Sequence, residues 1–325
     1  MKALSSLGIC AAALFSISVA AQDAANFPSK PLTLVMPYLP GSTSDRLARV
    51  FQDGLTQELK QTVLVDYKPG ASGMIANSYV IKSGADGHVF SFTAATAAIL
   101  PAFKKDMPYD LLKDMSPVSL MLKDTYVLVV PPSLPVNTYE EYVAYARANP
   151  GAINWSTVGA GGALHLSGEW LAKAIGAKFT FVHYKGSATA EVDLLAGRIQ
   201  SSPKGLASAL PIIRSGKVKA IAVLTADRTA LLPGLRTVAE MGVPGFEHPG
   251  WIAILGSGAT PPAIVAKLSA ALGRAVKLPK AMQLWESVAV NPVGSTPEEF
   301  RQVLTREMAH WKKFVDENNI KAEDE

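Results

Sequence analysis

Hydroxyl side chains and glycine cluster in one short loop, a pattern that can bind an anion. Residues 38–45 read Tyr-Leu-Pro-Gly-Ser-Thr-Ser-Asp, between an apolar run at 32–36 and a helical pattern. The first N–H groups of a helix have no partner within the helix, and the helix dipole places partial positive charge there. Donors at such a helix start can bind a carboxylate or a phosphate. The alternative is that Ser44 or Asp45 only caps the helix and that Gly41 only makes the turn.

A second segment repeats this order of strand, loop and helix further along the chain. An apolar strand at 153–156 leads into the small-residue loop 157–162, and a helical pattern starts at 163. Open α/β sheets bind ligands beyond the carboxyl ends of their strands, where both loops would lie. Two such helix starts in different domains predict a ligand held from both sides. His165 lies one turn inside the second helix, where it either contacts the ligand or bonds a neighbouring loop carbonyl.

Two charged residues could contact the far end of such a ligand. Lys204 directly follows the strand predicted at 199–203, and strand ends face the cleft in this architecture. Its ammonium would pair with a second carboxylate, and the alternative is a solvated loop lysine. Asp193 follows a helix start predicted at Ser187 or Thr189, and its alternative is a solvated surface position.

The sequence lacks the common catalytic and metal-binding patterns. Its 5 histidines show no metal-ligand spacing, and no His-Glu-x-x-His motif occurs. There is no Walker A lysine and no Gly-x-Ser-x-Gly motif, and Leu164 stands where a dinucleotide fingerprint around Gly161 would need its third glycine. We therefore expect no catalytic residue, no metal and no cofactor.

The elements that must position these loops form an α/β pattern. Short apolar strands alternate with helical segments from residue 26, which favours mixed, mainly parallel sheets with helices on both faces. The chain of 325 residues suits two domains. We expect domain 1 to comprise 22–125 plus 251–325 and domain 2 to comprise 126–250, with two chain crossings and the ligand cleft between the domains.

Individual elements follow from apolar periodicity and from capping residues. Strands are expected at 32–36, 62–66, 88–93, 126–130, 153–156, 178–184, 199–203, 220–224 and 251–255. Helices are expected at 46–60, 74–82, 139–148, 262–277 and 297–316. Residues 94–96 are expected to form a small-residue loop.

Residues 1–21 have the composition of a secretory signal peptide. Lys2 supplies the positive start, residues 7–19 form an apolar core, and small residues at 18–21 suit cleavage. The single cysteine, Cys10, lies inside this segment, so the mature chain is expected to lack disulfides. No later apolar run approaches about 20 residues, and the net charge of +4 comes from scattered basic residues. We expect a monomer outside the cytoplasm that is not embedded in the membrane and binds no nucleic acid.

Short motifs in a fixed order run through nearly the whole mature chain. Among them are Lys68-Pro-Gly-Ala-Ser-Gly73, Tyr184-Lys-Gly186 and Pro233-Gly-Leu-Arg-Thr-Val-Ala-Glu-Met-Gly242. The full set lies at 28–45, 68–73, 85–87, 109–114, 149–151, 156–161, 165–169, 184–186, 194–197, 233–242 and 295–299. In order and spacing these motifs resemble the Bug family (TctC-like), the solute-binding proteins of tripartite tricarboxylate transporters.

The resemblance implies a periplasmic two-domain binding protein of the Venus-flytrap type, type II, that serves the membrane subunits of a transporter. A carboxylate of a small organic acid would lie between the two loops described above. The first loop would contribute Tyr38, Pro40, Gly41, Ser42, Thr43, Ser44 and Asp45, and the second Ser156, Thr157, Gly159, Ala160, Gly161 and His165. Other strand-end loops would contribute Ser72, Ala94, Thr96, Lys185, Ser187, Asp193, Ser202 and Lys204.

Several positions near the expected site depart from the family pattern. Ser42 and Ser72 stand where the family usually has glycine, and their hydroxyls either donate to a carboxylate or cap a helix. Lys204 occupies a place often held by a small or amide residue, which predicts a dicarboxylate ligand, aliphatic or aromatic. Two other functions stay open: a ligand-sensing partner of a membrane signalling receptor, and an extracytoplasmic α/β hydrolase or isomerase.

Overall fold

The strands form one large sheet and two smaller ones. The computed structural model describes residues 26–104, 106–158, 161–184, 186–287, 289–318 and 320. Its strands are β1 (Leu32–Met36), β2 (Val63–Tyr67), β3 (Val89–Ala94), β4 (Met115–Asp124), β5 (Tyr126–Val130), β6 (Ile153–Val158), β7 (Phe179–Tyr184), β8 (Ser202–Gly205), β9 (Lys219–Val223), β10 (Trp251–Ser257) and β11 (Val290–Pro292). The six-stranded sheet has the order β11-β4-β10-β3-β1-β2, and the others have the orders β8-β5-β9 and β6-β7. A parallel bridge between Trp155 and Ser201 joins the two smaller sheets.

The sheets contain both parallel and antiparallel pairs. β1 pairs in parallel with β2 and β3, and β6 pairs in parallel with β7. β10 lies antiparallel to β3 and β4, and β11 lies antiparallel to β4. β5 lies antiparallel to β8 and β9. The expected mixed α/β class is confirmed.

Helices connect the strands and cover both faces of the large sheet. They are α1 (Thr43–Leu59), α2 (Met74–Lys82), α3 (Thr96–Phe103), α4 (Tyr139–Ala148), α5 (Ala163–Ala174), α6 (Ser187–Leu195), α7 (Leu206–Arg214), α8 (Pro262–Ala275), α9 (Pro279–Ser287) and α10 (Pro297–Asn318). In β1, Leu34 belongs to the core formed with α1 and α8, and Val35 to the core formed with α2 and α10. Successive side chains of one strand therefore supply two cores, as the pleat of a strand requires.

The structure contains elements that the sequence pattern does not predict, namely β4, β11, α3, α7 and α9. Pro101 lies inside α3 and Pro211 inside α7, where proline usually ends a helix. The expected loop at 94–96 is therefore partly wrong, because α3 already starts at Thr96. β4 is buried along most of its length, so its residues do not alternate between apolar and polar.

The first helix starts earlier than its apolar pattern suggests. α1 begins at Thr43 and not at 46, and its N-cap is Ser42 instead of Ser44 or Asp45. The polar residues 43–45 form the first turn of the helix, where they add nothing to an apolar stripe. An N-cap serine has extended backbone angles and accepts from an N–H of the first turn, which is the geometry found at Ser42.

The chain passes twice between the large sheet and the smaller ones. β4 ends at Asp124 and β5 begins at Tyr126, and the return lies between β9 and β10. The two passages touch, because the Asp124 N–H donates to the Gly250 carbonyl at 2.7 Å. The domain boundaries at 126 and 251 stay predictions, although sheet membership changes at the same positions.

Acidic and aromatic side chains line a depression beside these passages. Burial raises the pKa of Asp124 to about 7 and that of Glu307 also to about 7. Glu307 accepts from the Trp251 indole N–H at 2.9 Å. Burial lowers the pKa of His248 to about 3, and its ring centroid lies 4.1 Å from that of Tyr126. The surroundings of the passages therefore disfavour charge on all three titratable groups.

A third contact, away from the passages, joins the half of the chain that contains the large sheet to the half that contains the two smaller sheets. Trp170 of α5 packs against three side chains of α10, with ring centroids 4.7 Å from His310, 5.9 Å from Trp311 and 6.2 Å from Phe314. Leu166 of the same helix is fully buried in this cluster. The helix that follows the second predicted loop is therefore braced by the last helix of the chain.

Within the residues described, no helix is both long and apolar enough to cross a membrane. The signal peptide predicted at 1–21, with Cys10, lies outside the described residues.

Gly168 in α5 tests the packing behind the second loop. A Cβ at this position would lie 2.6 Å from Trp155 Nε1 and 2.7 Å from Phe181 Cε1. We expect Gly168→Ala to destabilise the protein by about 1–2 kcal/mol, because the roughly 1–3 kcal/mol cost of overpacking outweighs the roughly 0.5–1 kcal/mol that alanine contributes within a helix. Urea unfolding followed by fluorescence measures the difference. Gly234→Ala is the control, since a Cβ there meets nothing within 4 Å; equal midpoints for both variants would contradict the packing argument.

Candidate ligand-binding site

Three helix starts lie together at one edge of the large sheet. β1, β2 and β3 lead to α1, α2 and α3, and the parallel pairing places the carboxyl ends of these strands side by side. A depression at this edge contains four of the predicted site residues, Tyr38, Ser72, Ala94 and Thr96. Its remaining lining residues are Pro37, Gly73, Asn77, Phe92, Thr93 and Ala97. The edge therefore offers a shallow site with hydroxyl groups and an aromatic wall.

Two reciprocal hydrogen bonds close the first loop. Ser42 Oγ accepts from the Asp45 N–H at 3.2 Å, and the Asp45 carboxylate accepts from the Gly41 N–H at 2.9 Å. The pair resembles a capping box, but the Asp45 side chain accepts from the N–H of Gly41, one residue before the N-cap, and not from the N–H of Ser42 itself. Because Ser42 Oγ is the acceptor in this hydrogen bond, the Ser42 hydroxyl can still donate its proton to a ligand.

Asp45 is anchored from a second direction by β2. The Tyr67 hydroxyl donates to Asp45 Oδ1 at 2.7 Å, Arg49 Nε lies 3.4 Å from the same oxygen, and Arg49 donates to the Tyr67 hydroxyl at 2.6 Å. The Gly41 N–H, then the Tyr67 hydroxyl and Arg49, hold the pKa of Asp45 below its usual value. Asp45 is 8% exposed, so these contacts make it an anchor of the loop.

Around the loop, the remaining predicted residues differ in exposure. Pro40 and Gly41 are exposed, and Ser44 is half-buried in the first turn of α1. Tyr38 packs edge-on against Phe92 with ring centroids 6.1 Å apart, and burial raises the pKa of its hydroxyl. Ser72 is exposed and has a left-handed backbone, with φ 51°.

Asn77 is a residue of the candidate site that the sequence does not predict. It lies on α2, lines the depression and is 3% exposed. Its amide nitrogen donates to the Tyr109 hydroxyl at 3.0 Å, and its carbonyl oxygen accepts from Ser91 Oγ at 2.9 Å. These bonds fix α2 beneath the depression. An asparagine among the apolar residues of the 74–82 helix was the signal that could have revealed it.

The second edge has the same construction. β6, β7 and β8 lead to α5, α6 and α7, with β6 parallel to β7 and Trp155 bridged in parallel to Ser201 just before β8. α5 begins after Gly162, which has no side chain with which to cap the helix. Its first N–H groups therefore need partners from elsewhere, such as water or a ligand.

His165 holds the second loop as Asp45 holds the first. Its Nδ1 accepts from the Gly161 N–H at 3.0 Å, and its Nε2 lies 3.6 Å from a Glu169 carboxylate oxygen. In both loops a glycine with positive φ donates to the side chain four residues further on, Gly41 to Asp45 and Gly161 to His165. Of the two alternatives for His165, the bond to a loop carbonyl is wrong, because its loop partner is an N–H group, and the ligand contact stays a prediction.

The other predicted side chains of the second half also have protein partners. The Ser156 hydroxyl donates to Ser202 Oγ at 2.8 Å, with both residues buried. Thr157 Oγ1 lies 2.5 Å from His183 Nδ1. Lys204 lies within β8 and is 6% exposed, so the prediction that it directly follows a strand at 199–203 is wrong, and so is the alternative of a solvated loop lysine. Its ammonium lies 2.6 Å from a Glu191 carboxylate oxygen.

Asp193 has two partners within the second half. It accepts from the Tyr184 hydroxyl at 2.7 Å and pairs with Arg198, and these two contacts in that order hold its pKa below the usual value. Ser187 is exposed at the first position of α6. Gly159, Ala160, Lys185 and the side chain of Thr43 lie outside the described part of the chain. In the part described, no three His, Cys, Asp or Glu side chains are grouped so that they could hold a metal ion.

Comparison with known families gives a match across most of the chain. A family described as "Tripartite tricarboxylate transporter family receptor" matches residues 47–320. The chain belongs to this receptor family. Protein BugT of Bordetella pertussis is 31% identical over 301 residues, covering 92% of this chain and 92% of BugT. A protein from the tcbD-tcbE intergenic region of Pseudomonas sp. (strain P51) is 30% identical and covers 96% of this chain and 93% of its own.

Solved structures of other proteins share the fold of this receptor-family chain. An R. palustris protein solved with adipate is 31% identical, with a TM-score of 0.78 over 91% of this chain and 99% of its own. MatC from Rhodopseudomonas palustris, solved with bound malate, is 26% identical, with a TM-score of 0.72 over 89% and 100% of the two chains. The family and the two-domain binding-protein fold predicted from the sequence are confirmed. The ligand contacts of individual residues stay predictions.

Tyr67 tests the anchoring of the first loop through the pH dependence of stability. Asp45 has a folded pKa below its unfolded value of about 3.9, so its contribution is present above that pH and is lost as the pH falls through the folded pKa. Tyr67→Phe removes one donor. We expect it to cost on the order of 1 kcal/mol at pH 7 and progressively less below about pH 4.

The measurement is denaturant unfolding of both proteins from pH 7 to pH 3. Tyr79→Phe is the matched control, because this exposed ring lies over the Lys68 ammonium and not beside Asp45. A Tyr67→Phe deficit that is constant over the whole pH range would show that the lost contact does not involve the Asp45 charge.

Proposed function

We propose that this receptor-family chain captures a small organic acid in the periplasm and binds it through a carboxylate. The observation that carries the proposal is the N-terminus of α1, where Ser42 caps a helix inside a loop closed by Asp45. The helix start supplies N–H donors and partial positive charge, and the Ser42 hydroxyl supplies a further donor. Tyr38, Ser72 and Thr96 line the depression next to this loop.

The second helix start supports the same chemistry. α5 begins at a glycine N-cap behind a loop that His165 holds in place, which leaves its first N–H groups for a ligand or water. Movement about the two chain passages would bring both helix starts onto the acid and replace its water shell. Two structural neighbours were solved with adipate and malate, and both ligands are carboxylates.

The proposed role is capture without turnover, followed by delivery to the membrane subunits of a tripartite transporter. The proposal covers one carboxylate of the ligand only, because the Lys204 ammonium, from which the sequence predicts a dicarboxylate, already has Glu191 as its partner. Sensing is distinguished from uptake in cells: loss of the acid import in a deletion strain supports delivery, and unchanged import supports a sensing role.

A ligand screen tests the proposal directly. Protein stripped of ligand by unfolding and refolding is heated with mono- and dicarboxylates, hydroxy acids, aromatic acids and acidic amino acids. A bound acid at 100 times its Kd stabilises the folded state by about 2.7 kcal/mol, which raises Tm measurably. No shift with any acid, or chemical conversion of a bound acid detected by mass spectrometry, would contradict the proposed capture.

Ser42 gives the sharpest test within the site. Ser42→Ala removes a donor to the carboxylate, and a hydrogen bond to a charged group contributes about 1.5–3 kcal/mol, so we expect affinity to fall roughly 10- to 100-fold. Ser42→Thr keeps the hydroxyl and should retain most of the affinity. Calorimetric titration with the best acid from the screen measures both.

The loss of a helix cap needs its own control. Thr138 caps α4 in the same way, with Oγ1 accepting from the Glu141 N–H at 3.1 Å. Thr138→Ala should cost about 1 kcal/mol of stability and leave acid binding unchanged. If Thr138→Ala weakens binding as much as Ser42→Ala does, the effect comes from general destabilisation.

A further inference from the structure

Lys204 and Glu191 form an ion pair at the ligand edge of the second half. Lys204 Nζ lies 2.6 Å from Glu191 Oε2, and the two side chains are 6% and 34% exposed. The bridge between Trp155 and Ser201 and the bond between Ser156 and Ser202 fix the register of this region. Counting three residues onward from Trp155 and from Ser201 places Lys204 beside Val158, the last residue of β6.

That level is the edge from which the predicted ligand loops leave. Val158 ends β6 and Tyr184 ends β7, and the two are paired in register. Ser156 faces Ser202, so the next residues on the same side of these strands are Val158 and Lys204. Val158 is an apolar residue with 43% exposure. This side of the strand ends therefore presents the apolar Val158 side chain beside the Lys204–Glu191 ion pair.

The ion pair changes what Lys204 can recognise. A second ligand carboxylate that approached this ammonium would meet the Glu191 carboxylate on the same nitrogen, and like charges at that range repel strongly where water is scarce. A neutral hydroxyl or amide carries no such penalty. It can accept from the ammonium, which has three N–H donors, and donate to Glu191.

We propose that Glu191 determines ligand selectivity by lowering the affinity of the far end of the site for a second carboxylate. The ligand class is then monocarboxylic acids whose far end carries a neutral hydroxyl or amide group. This inference rests on the proposed capture of an organic acid and names the acid more narrowly. Considered alone, Lys204 predicts a dicarboxylate ligand. The proposal replaces that prediction, because Glu191 already supplies the negative charge that pairs with Lys204.

The test compares acids that differ only at the far end. The pairs are succinate and 4-hydroxybutyrate, glutarate and 5-hydroxypentanoate, adipate and 6-hydroxyhexanoate, and terephthalate and 4-(hydroxymethyl)benzoate. Calorimetry gives both Kd values for each pair, and the pair with the tightest member is carried forward. We expect wild-type protein to prefer the hydroxy acid by at least about tenfold.

Glu191→Gln removes the charge and keeps an oxygen for Lys204. We expect the ratio of the two affinities to move toward the diacid by at least about tenfold, because Lys204 then lacks a counter-ion. Glu191→Gln combined with Lys204→Met removes both charges, and the gain for the diacid should disappear. The double variant also covers the case in which an uncompensated lysine impairs folding of the single one.

Glu58→Gln is the matched control. Glu58 pairs with Arg274 at 2.5 Å and lies near the end of α1 opposite Ser42, so the substitution makes the same change of charge away from the site. Its affinity ratio should equal that of wild-type protein. A wild-type preference for the diacid, or a ratio unchanged in Glu191→Gln, overturns the role of Glu191 and leaves acid capture standing. Failure of every acid to bind wild-type protein overturns the proposed function as well.

Discussion

Parallel strand pairing is the constraint on which the candidate site depends. β1 pairs in parallel with both β2 and β3, so three helix starts must leave the large sheet at one edge. The same rule acts on β6, β7 and the segment before β8. A helix start in isolation is a common and weak anion site. The proposed capture uses several helix starts at one edge in each half of the chain, whose donors together replace the water around a carboxylate.

The loops at those edges are held by side chains of the protein itself. Gly41 donates to Asp45 and Gly161 donates to His165, so each loop is closed by a hydrogen bond between residues four positions apart in the sequence. An ordered loop loses less conformational entropy on binding than a mobile one, which favours affinity. Asp45 is in turn held by Tyr67 of β2, so the first loop depends on the pairing of β1 with β2.

The sequence is informative where a local pattern decides the structure. The order of strand, loop and helix around Ser42, the Thr138 cap and the family motifs all depend on residues close together in the chain, and the structure contains the corresponding elements. Partners brought together by folding give no such signal. Glu191 lies on α6 and Lys204 on β8, and nothing local to either residue identifies the other. Likewise, Pro101 lies within α3 because tertiary packing outweighs a local preference against it.

The charged side chains of the candidate site are compensated within the protein. Among the predicted site residues that the structure describes, the acidic and lysine side chains each face an opposite charge: Asp45 faces Arg49, Asp193 pairs with Arg198, and Lys204 pairs with Glu191. None of these three residues is a ready counter-ion for a ligand. In the proposed capture, oriented dipoles, namely helix N–H groups and hydroxyls whose directions are fixed by the fold, meet the ligand charge instead. Such donors favour one carboxylate in a defined position and add little affinity for further negative charge on the ligand. The proposed role of Glu191 agrees with this, because it disfavours a second carboxylate.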